Sequence, residues 1–160
     1  ANHTSPANCQ GVVTVANIDR EGRPASSTSR GSVVDVSALG NPSATLSPDI
    51  TSVGMVFGTS FSAPTVTGIL GMTLQKYPQL AGADIEKLLK QSARGLPGGN
   101  GLGAGTADAF RMLRLADSMM DIGMTTFNHP ERTGNVTLGL SAYLVSIGHT
   151  EACEAIEFET

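Results

Sequence analysis

The sequence predicts an α/β fold, because short β-branched runs alternate with longer stretches of helical periodicity. The first run, residues 12–17, lies between Gly11 and Asp19, which is typical of a buried strand. After residue 60, apolar residues recur at mixed three- and four-residue steps until Pro78, which is the spacing of a helix that a proline ends. Small residues dominate the middle of the chain, as they do in tightly layered α/β scaffolds.

Two more strands are predicted, over residues 32–36 and 51–57, where β-branched and other apolar residues cluster. The helix that follows residue 60 is expected to contain about 17 residues and to be buried. Gly68 and Gly71 lie inside it, and each lowers helix propensity by about 1 kcal/mol relative to Ala. We therefore expect these glycines to allow close packing against a neighbouring element.

Two further helices are predicted downstream. Residues 84–93 place Ile85, Leu88 and Leu89 on one face and charged or polar residues on the other, which indicates an amphipathic surface helix. Residues 106–119 are predicted to form the last helix, with four residues facing inward: Ala109, Phe110, Leu113 and Ala116.

The glycine-rich loop at residues 98–103 does not have the context of a phosphate site. A helix rather than a strand precedes it, and no Gly-Lys-Ser/Thr sequence is present, so it is predicted to be a flexible connection. Beyond residue 119, alternation predicts strands over residues 124–129 and 133–145, and residues 149–157 fit a short helix or strand.

Composition narrows the classes of function. A chain of 160 residues can form one modest core. It has no cluster of Lys and Arg that could neutralise phosphates, so nucleic acid is not an expected partner. No apolar run approaches the roughly 18 residues of a membrane span, so a membrane is not an expected partner either.

Residues 58–68, Gly-Thr-Ser-Phe-Ser-Ala-Pro-Thr-Val-Thr-Gly, are the most informative part of the chain. A small-residue turn delivers Ser60 to the start of a helix, where free N–H groups and the helix dipole favour developing negative charge. Pro64 is expected in the first helical turn, where its missing N–H costs nothing. The plainer interpretation is a helix that a serine caps.

This segment resembles the active-site serine segment of the subtilisin-like serine proteases, with Ser60 as the nucleophile. Five other segments are similar to family motifs and occur in the family's order: residues 11–19, 23–31, 34–40, 77–80 and 101–109. The resemblance runs from about residue 5 to about residue 117. One departure is Leu39, which stands where the family normally has Pro.

The resemblance implies a three-layer α/β fold with a mostly parallel sheet, of which only the C-terminal part is present. Residues 1–119 would belong to the peptidase domain. Residues 120–160 would be an extension, either the start of a β-rich accessory region or a covering flap. The acidic residues near its end also fit a solvated tail.

The resemblance also implies a serine endopeptidase that works through an acyl-enzyme on Ser60. Thr59 and the Ser60 backbone N–H would support the oxyanion. The Asp, the His and the oxyanion Asn would come from an upstream segment absent from this chain, so the chain alone is expected to be inactive. The alternative is a catalytically inert domain that acts as a binding or structural module.

The resident histidines do not supply the missing base. His3, His129 and His149 all lie in turn-rich sequence, which indicates solvated loops. An α/β-hydrolase elbow would need Gly-x-Ser-x-Gly, and Ser62 occupies the last of these positions.

The two cysteines, Cys9 and Cys153, leave two alternatives open, a bridge between them or two unrelated thiols. The resemblance implies that no cofactor is required, with calcium as a structural ion at most. The expected partners are a protein or peptide substrate and the N-terminal part of the same protease domain. The expected location is secreted or extracellular, which includes the periplasm.

Overall fold

The computed structural model describes residues 1–47 and 49–121. Within that part the chain is α/β, as the sequence predicts. The elements in order are β1 (Val15–Asp19), β2 (Val36–Asn41), β3 (Ser43–Leu46), β4 (Val53–Val56), α1 (Thr59–Lys76), α2 (Gly82–Ser92) and α3 (Ala109–Asp121). The elements predicted over residues 124–129, 133–145 and 149–157 lie outside the described residues.

Strands β1 and β2 form a parallel pair, with Val15 opposite Val36. Both strands begin three or four residues later than the predicted residues 12–17 and 32–36. Just before the two strands, the Thr14 N–H donates to the Asp35 carboxylate at 2.7 Å, and the Asp35 N–H donates to the Thr14 carbonyl at 2.9 Å. One side-chain bond and one backbone bond therefore hold the two chain segments together where they enter the strands.

Strands β3 and β4 form an antiparallel hairpin in which Leu46 pairs with Val53 and Ala44 with Met55. The sequence predicts β4 within residues 51–57 but gives no signal for β3. Directly opposed residues share a face of the hairpin, and Leu46, Val53 and Met55 are all exposed. Side-chain hydrogen bonds from Ser47 and Thr51 order the turn and lower the pKa of Asp49 to about 2.

Helix α1 has 18 residues and ends at Lys76, which confirms the predicted length. The prediction of a buried helix holds for one face only, because five of its residues are buried. One face packs on the β1–β2 pair and joins the main core, whose buried residues are Val36, Ala38, Val66, Ile69, Leu70, Leu80, Ile85, Leu88, Leu89, Met112 and Ala116. The expected close packing at Gly68 and Gly71 is not formed within the described residues. Both glycines are exposed, and nothing in the described residues lies within 4 Å of a methyl group placed on either one.

Helix α2 buries Ile85, Leu88 and Leu89 as predicted. In α3 the buried residues are Met112 and Ala116, four apart on one face. The prediction that Phe110 faces inward is wrong, because it lies off that face and is 70% exposed.

The loop that leads from α2 to α3 is anchored rather than free, which corrects the prediction of a flexible connection. The Ala104 N–H donates to the Asp35 carbonyl at 2.8 Å, and Leu102 is 1% exposed. At Gly103, with φ +75°, a methyl group would lie 2.4 Å from Asp35 backbone atoms, so glycine permits this close approach. In the described part of the chain, no helix is long and apolar enough to cross a membrane.

Candidate active site

Ser60 is the second residue of α1 and is exposed. The turn before it depends on Gly58, whose φ of +138° is disfavoured for residues with a Cβ. The Gly58 N–H donates to the Gly40 carbonyl at the end of β2, at 2.8 Å, and the Gly58 carbonyl accepts from the Phe61 N–H at 3.1 Å. These two bonds fix the start of α1 to the end of the parallel strand pair.

The hydroxyl of Ser60 does not cap the helix. The N-cap residue of α1 is Gly58, and no side-chain hydrogen bond caps this end. Serine capping, the plainer interpretation of the motif, is therefore not what the structure shows. The side chain is left available at a helix N-terminus, which favours negative charge.

Pro64 lies in the second turn of α1, and not in the first turn as the sequence predicts. The reason is that the helix already begins at Thr59. A proline at this position cannot donate to the carbonyl four residues earlier, which is that of Ser60. Proline therefore removes the ordinary intrahelical donor from the Ser60 carbonyl.

A cavity of about 150 Å³ lies beside Ser60. Its walls come from the opening segment, from residues leading into β1, from the loop after β1 and from the start of α1. The lining residues are Ala1, Thr4, Ala7, Val12, Val13, Thr14, Val15, Ser27, Ser29, Thr59, Ser60 and Ala63. None of these residues carries a charged side chain, so the cavity suits an uncharged group.

Three oxygen atoms meet beneath the serine turn, around Gly40. A methyl group placed on Gly40 would lie 2.3 Å from Ser62 Oγ, 2.5 Å from the Gly58 carbonyl oxygen and 2.8 Å from Asn17 Oδ1. We call these three atoms the Gly40 oxygen cluster. Sequence reasoning gave no role to Asn17, although a polar residue inside an apolar strand is a signal that it could have used.

The other candidate residues lie in the opening segment or outside the described region. His3 is exposed in a turn, as predicted, whereas His129 and His149 lie outside the described residues. Cys9 is disulfide-bonded, and Cys153 also lies outside them. Within residues 1–47 and 49–121, no group of three His, Cys, Asp or Glu side chains could hold a metal ion.

The sequence profile of the subtilase family, Peptidase_S8, matches residues 1–121. The chain belongs to the subtilase family. Its membership confirms the predicted resemblance and the α/β subtilisin-like fold, and it places the residue 58–68 segment within a family of proteases.

Known subtilases are similar to this chain in sequence and in structure. An "extracellular protease" of Xanthomonas campestris pv. campestris is 38% identical over 113 residues, and mycosin-4 of Mycobacterium tuberculosis is 29% identical over 127 residues. A solved protease from Pseudoalteromonas arctica is 32% identical, with a TM-score of 0.62 over 70% of this chain.

This subtilase chain spans only part of the length of those relatives. Its alignment covers 65% of this chain but 20% of the Xanthomonas protein, and 72% of this chain but 28% of mycosin-4. The share of the Pseudoalteromonas structure is 38%.

Proposed function

We propose that this chain carries the nucleophile of a serine endopeptidase, and that Ser60 is that nucleophile. The single observation that carries the proposal is the position of Ser60. It is exposed at a helix start, it is not used as a cap, and it lies beside an uncharged cavity. Family membership supplies the protease context.

In the proposed reaction, Ser60 Oγ attacks the carbonyl carbon of a peptide bond while a histidine takes its proton. The Ser60 backbone N–H and an asparagine side chain hold the oxyanion, and Thr59 supports the turn. The histidine then gives the proton to the leaving amine, which forms an acyl-enzyme on Ser60. Water hydrolyses this ester by the same steps.

We further propose that the histidine, its aspartate partner and the oxyanion asparagine come from a segment upstream of residue 1. The proposed docking surface is one face of α1. The exposed glycines Gly68 and Gly71 leave one face of α1 open for close packing.

The proposed substrate is a protein or peptide. The chemistry needs no cofactor, and calcium would serve only as a structural ion. We also propose a secreted or extracellular location, periplasm included, because one relative is an extracellular protease.

The test uses the complete protease, meaning residues 1–160 joined to the upstream segment that carries the aspartate and histidine. Ser60→Ala should lower kcat for peptide hydrolysis by about 10⁴-fold or more, because removal of one triad member disables the others. Ser118→Ala is the matched control, since Ser118 is an exposed helical serine on α3. It should keep full activity.

Three results separate the possible outcomes of this test. Circular dichroism should show the same folded spectrum for both variants. Peptide hydrolysis by the Ser60→Ala variant at the wild-type rate would contradict the assignment of the nucleophile. A complete protein that binds peptides without cleaving them would support the alternative of an inert binding module.

A further inference from the structure

Two buried polar side chains in the Gly40 oxygen cluster lack the hydrogen bonds that such groups normally have. Asn17 is 1% exposed and Ser62 is 0% exposed. Within the described residues, neither Asn17 Oδ1 nor Ser62 Oγ has a hydrogen-bond partner. A buried polar atom without a partner destabilises a folded protein, so this arrangement calls for a physical reason.

Other buried hydroxyls of the same elements are satisfied. Thr73 Oγ1 in α1 donates to the Ile69 carbonyl at 3.0 Å, and Ser37 Oγ in β2 donates to the Leu102 carbonyl at 2.7 Å. Buried hydroxyls in this core therefore do not as a rule lack a hydrogen-bond partner. The exception occurs where the chain turns toward the proposed nucleophile.

The two unpaired side chains belong to different elements, β1 and α1. The Asn17 backbone is fixed, because its N–H donates to Thr28 Oγ1 at 2.8 Å and its carbonyl accepts from the Ala25 N–H at 3.0 Å. Ser62 shares the first turn of α1 with Ser60. If substrate binding displaces this turn, Ser62 moves with Ser60 relative to Asn17.

We propose that the Ser62 hydroxyl donates to Asn17 Oδ1 only when the serine turn takes up its catalytic position. Ser62 and Asn17 are then positioning residues, which act on the reaction through Ser60. This inference rests on the proposed function and deepens it. Hydrogen bonds at active sites are often unformed in the resting enzyme and tighten in the reacting complex.

The consequence is a specific kinetic signature. A hydrogen bond that forms only in the transition state raises kcat and leaves KM unchanged. A hydroxyl that has no hydrogen-bond partner in the resting enzyme does not stabilise the resting fold by hydrogen bonding. Its removal should therefore not lower the melting temperature. If Ser62 had only a structural role, its replacement would lower the melting temperature and leave kcat unchanged.

The experiment measures kcat, KM and melting temperature in the complete protease. Ser62→Ala should lower kcat by about 3- to 10-fold, the effect of one hydrogen bond of ordinary strength. KM should be unchanged and the melting temperature equal to or above that of the wild type. Thr73→Val is the matched control. It removes a buried hydroxyl that is already bonded in the same helix, so it should lower the melting temperature and keep kcat.

A double-mutant cycle identifies the partner. Asn17→Ala should show a similar loss of kcat, and the Asn17→Ala/Ser62→Ala double variant should lose no more than the worse single variant. Additive losses, or wild-type kcat in Ser62→Ala, would overturn the inference. If Asn17→Ala does not fold, the kcat of Ser62→Ala alone decides.

Active-site titration with a fluorophosphonate separates this inference from the proposed function. If the wild type is labelled and hydrolyses peptides, and the Ser62→Ala variant has the same kcat, only the positioning role is overturned. Absence of both labelling and turnover in the wild type would overturn the proposed function and this inference together.

Discussion

Addition of one methyl group at Gly40 should displace the turn that carries Ser60 in the proposed active site. The backbone φ of Gly40 is not in the left-handed region, so the constraint is space rather than conformation. In Gly40→Ala the new methyl would lie 2.5 Å from the Gly58 carbonyl oxygen, whereas ordinary contacts begin at 3.4 Å. The Gly58 carbonyl or the Gly40 backbone must therefore shift, and the two must separate by up to about 0.9 Å to restore an ordinary contact.

That movement acts directly on the turn that carries Ser60. A misplacement of about 1 Å in a catalytic group can cost about 100-fold in rate, and overpacking a core typically costs about 1–3 kcal/mol. We expect Gly40→Ala to lower kcat/KM of the complete protease by about 100-fold and to lower the free energy of unfolding by about 1–3 kcal/mol.

The assay combines steady-state peptide hydrolysis with denaturant unfolding. Gly54→Ala is the matched control, because no described residue lies within 4 Å of a methyl group placed on Gly54 in the exposed hairpin. This control should keep both activity and stability. Wild-type kcat/KM in Gly40→Ala would refute the argument that the close approach at Gly40 positions Ser60.

Two further predictions concern α3. Met112→Ala should lower the free energy of unfolding by about 2–5 kcal/mol, because Met112 is 0% exposed. Phe110→Ala, at a 70% exposed site, should change this free energy by no more than about 0.5 kcal/mol. Equal losses for the two variants in denaturant unfolding would contradict the burial pattern. Lys76, bonded to Asp117 at 2.6 Å, and Tyr77 hold the pKa of Asp117 below its usual value. A depressed carboxyl pKa stabilises the fold above about pH 4, and the contribution is lost as the pH falls further. Asp117→Asn should therefore lower the melting temperature slightly at pH 7 in low salt and leave it unchanged near pH 2, whereas the same loss at both values would contradict the ion-pair origin.

The helices and the serine segment could be predicted from the sequence because their signals are local. Pro78 ends α1, and the apolar period of α2 selects Ile85 and Leu88 for burial. The sequence brings Ser60 to a helix N-terminus, as the structure does. The error in the position of Pro64 arises because the helix begins at Thr59, before the predicted start at Ser60.

Features that depend on tertiary packing could not be predicted in this way. Strand β3 consists of Ser, Ala, Thr and Leu, which carry little strand preference as a set, and its pairing with β4 determines its conformation. The inward face of α3 follows from its packing against α2, which places Met112 inside and Phe110 outside. The Gly40 oxygen cluster brings atoms from β1, from the turn before α1 and from α1 together around Gly40 of β2.

The most direct test of the central claim is reaction with a fluorophosphonate, followed by peptide mass analysis. Such a probe requires a serine that a neighbouring base activates. The complete protease should be labelled at Ser60, and its Ser60→Ala variant should not be labelled. Residues 1–160 alone should not react, because we assign the base to the upstream segment. Labelling of the isolated chain at Ser60, or labelling of the complete protease at any other serine, would contradict the account.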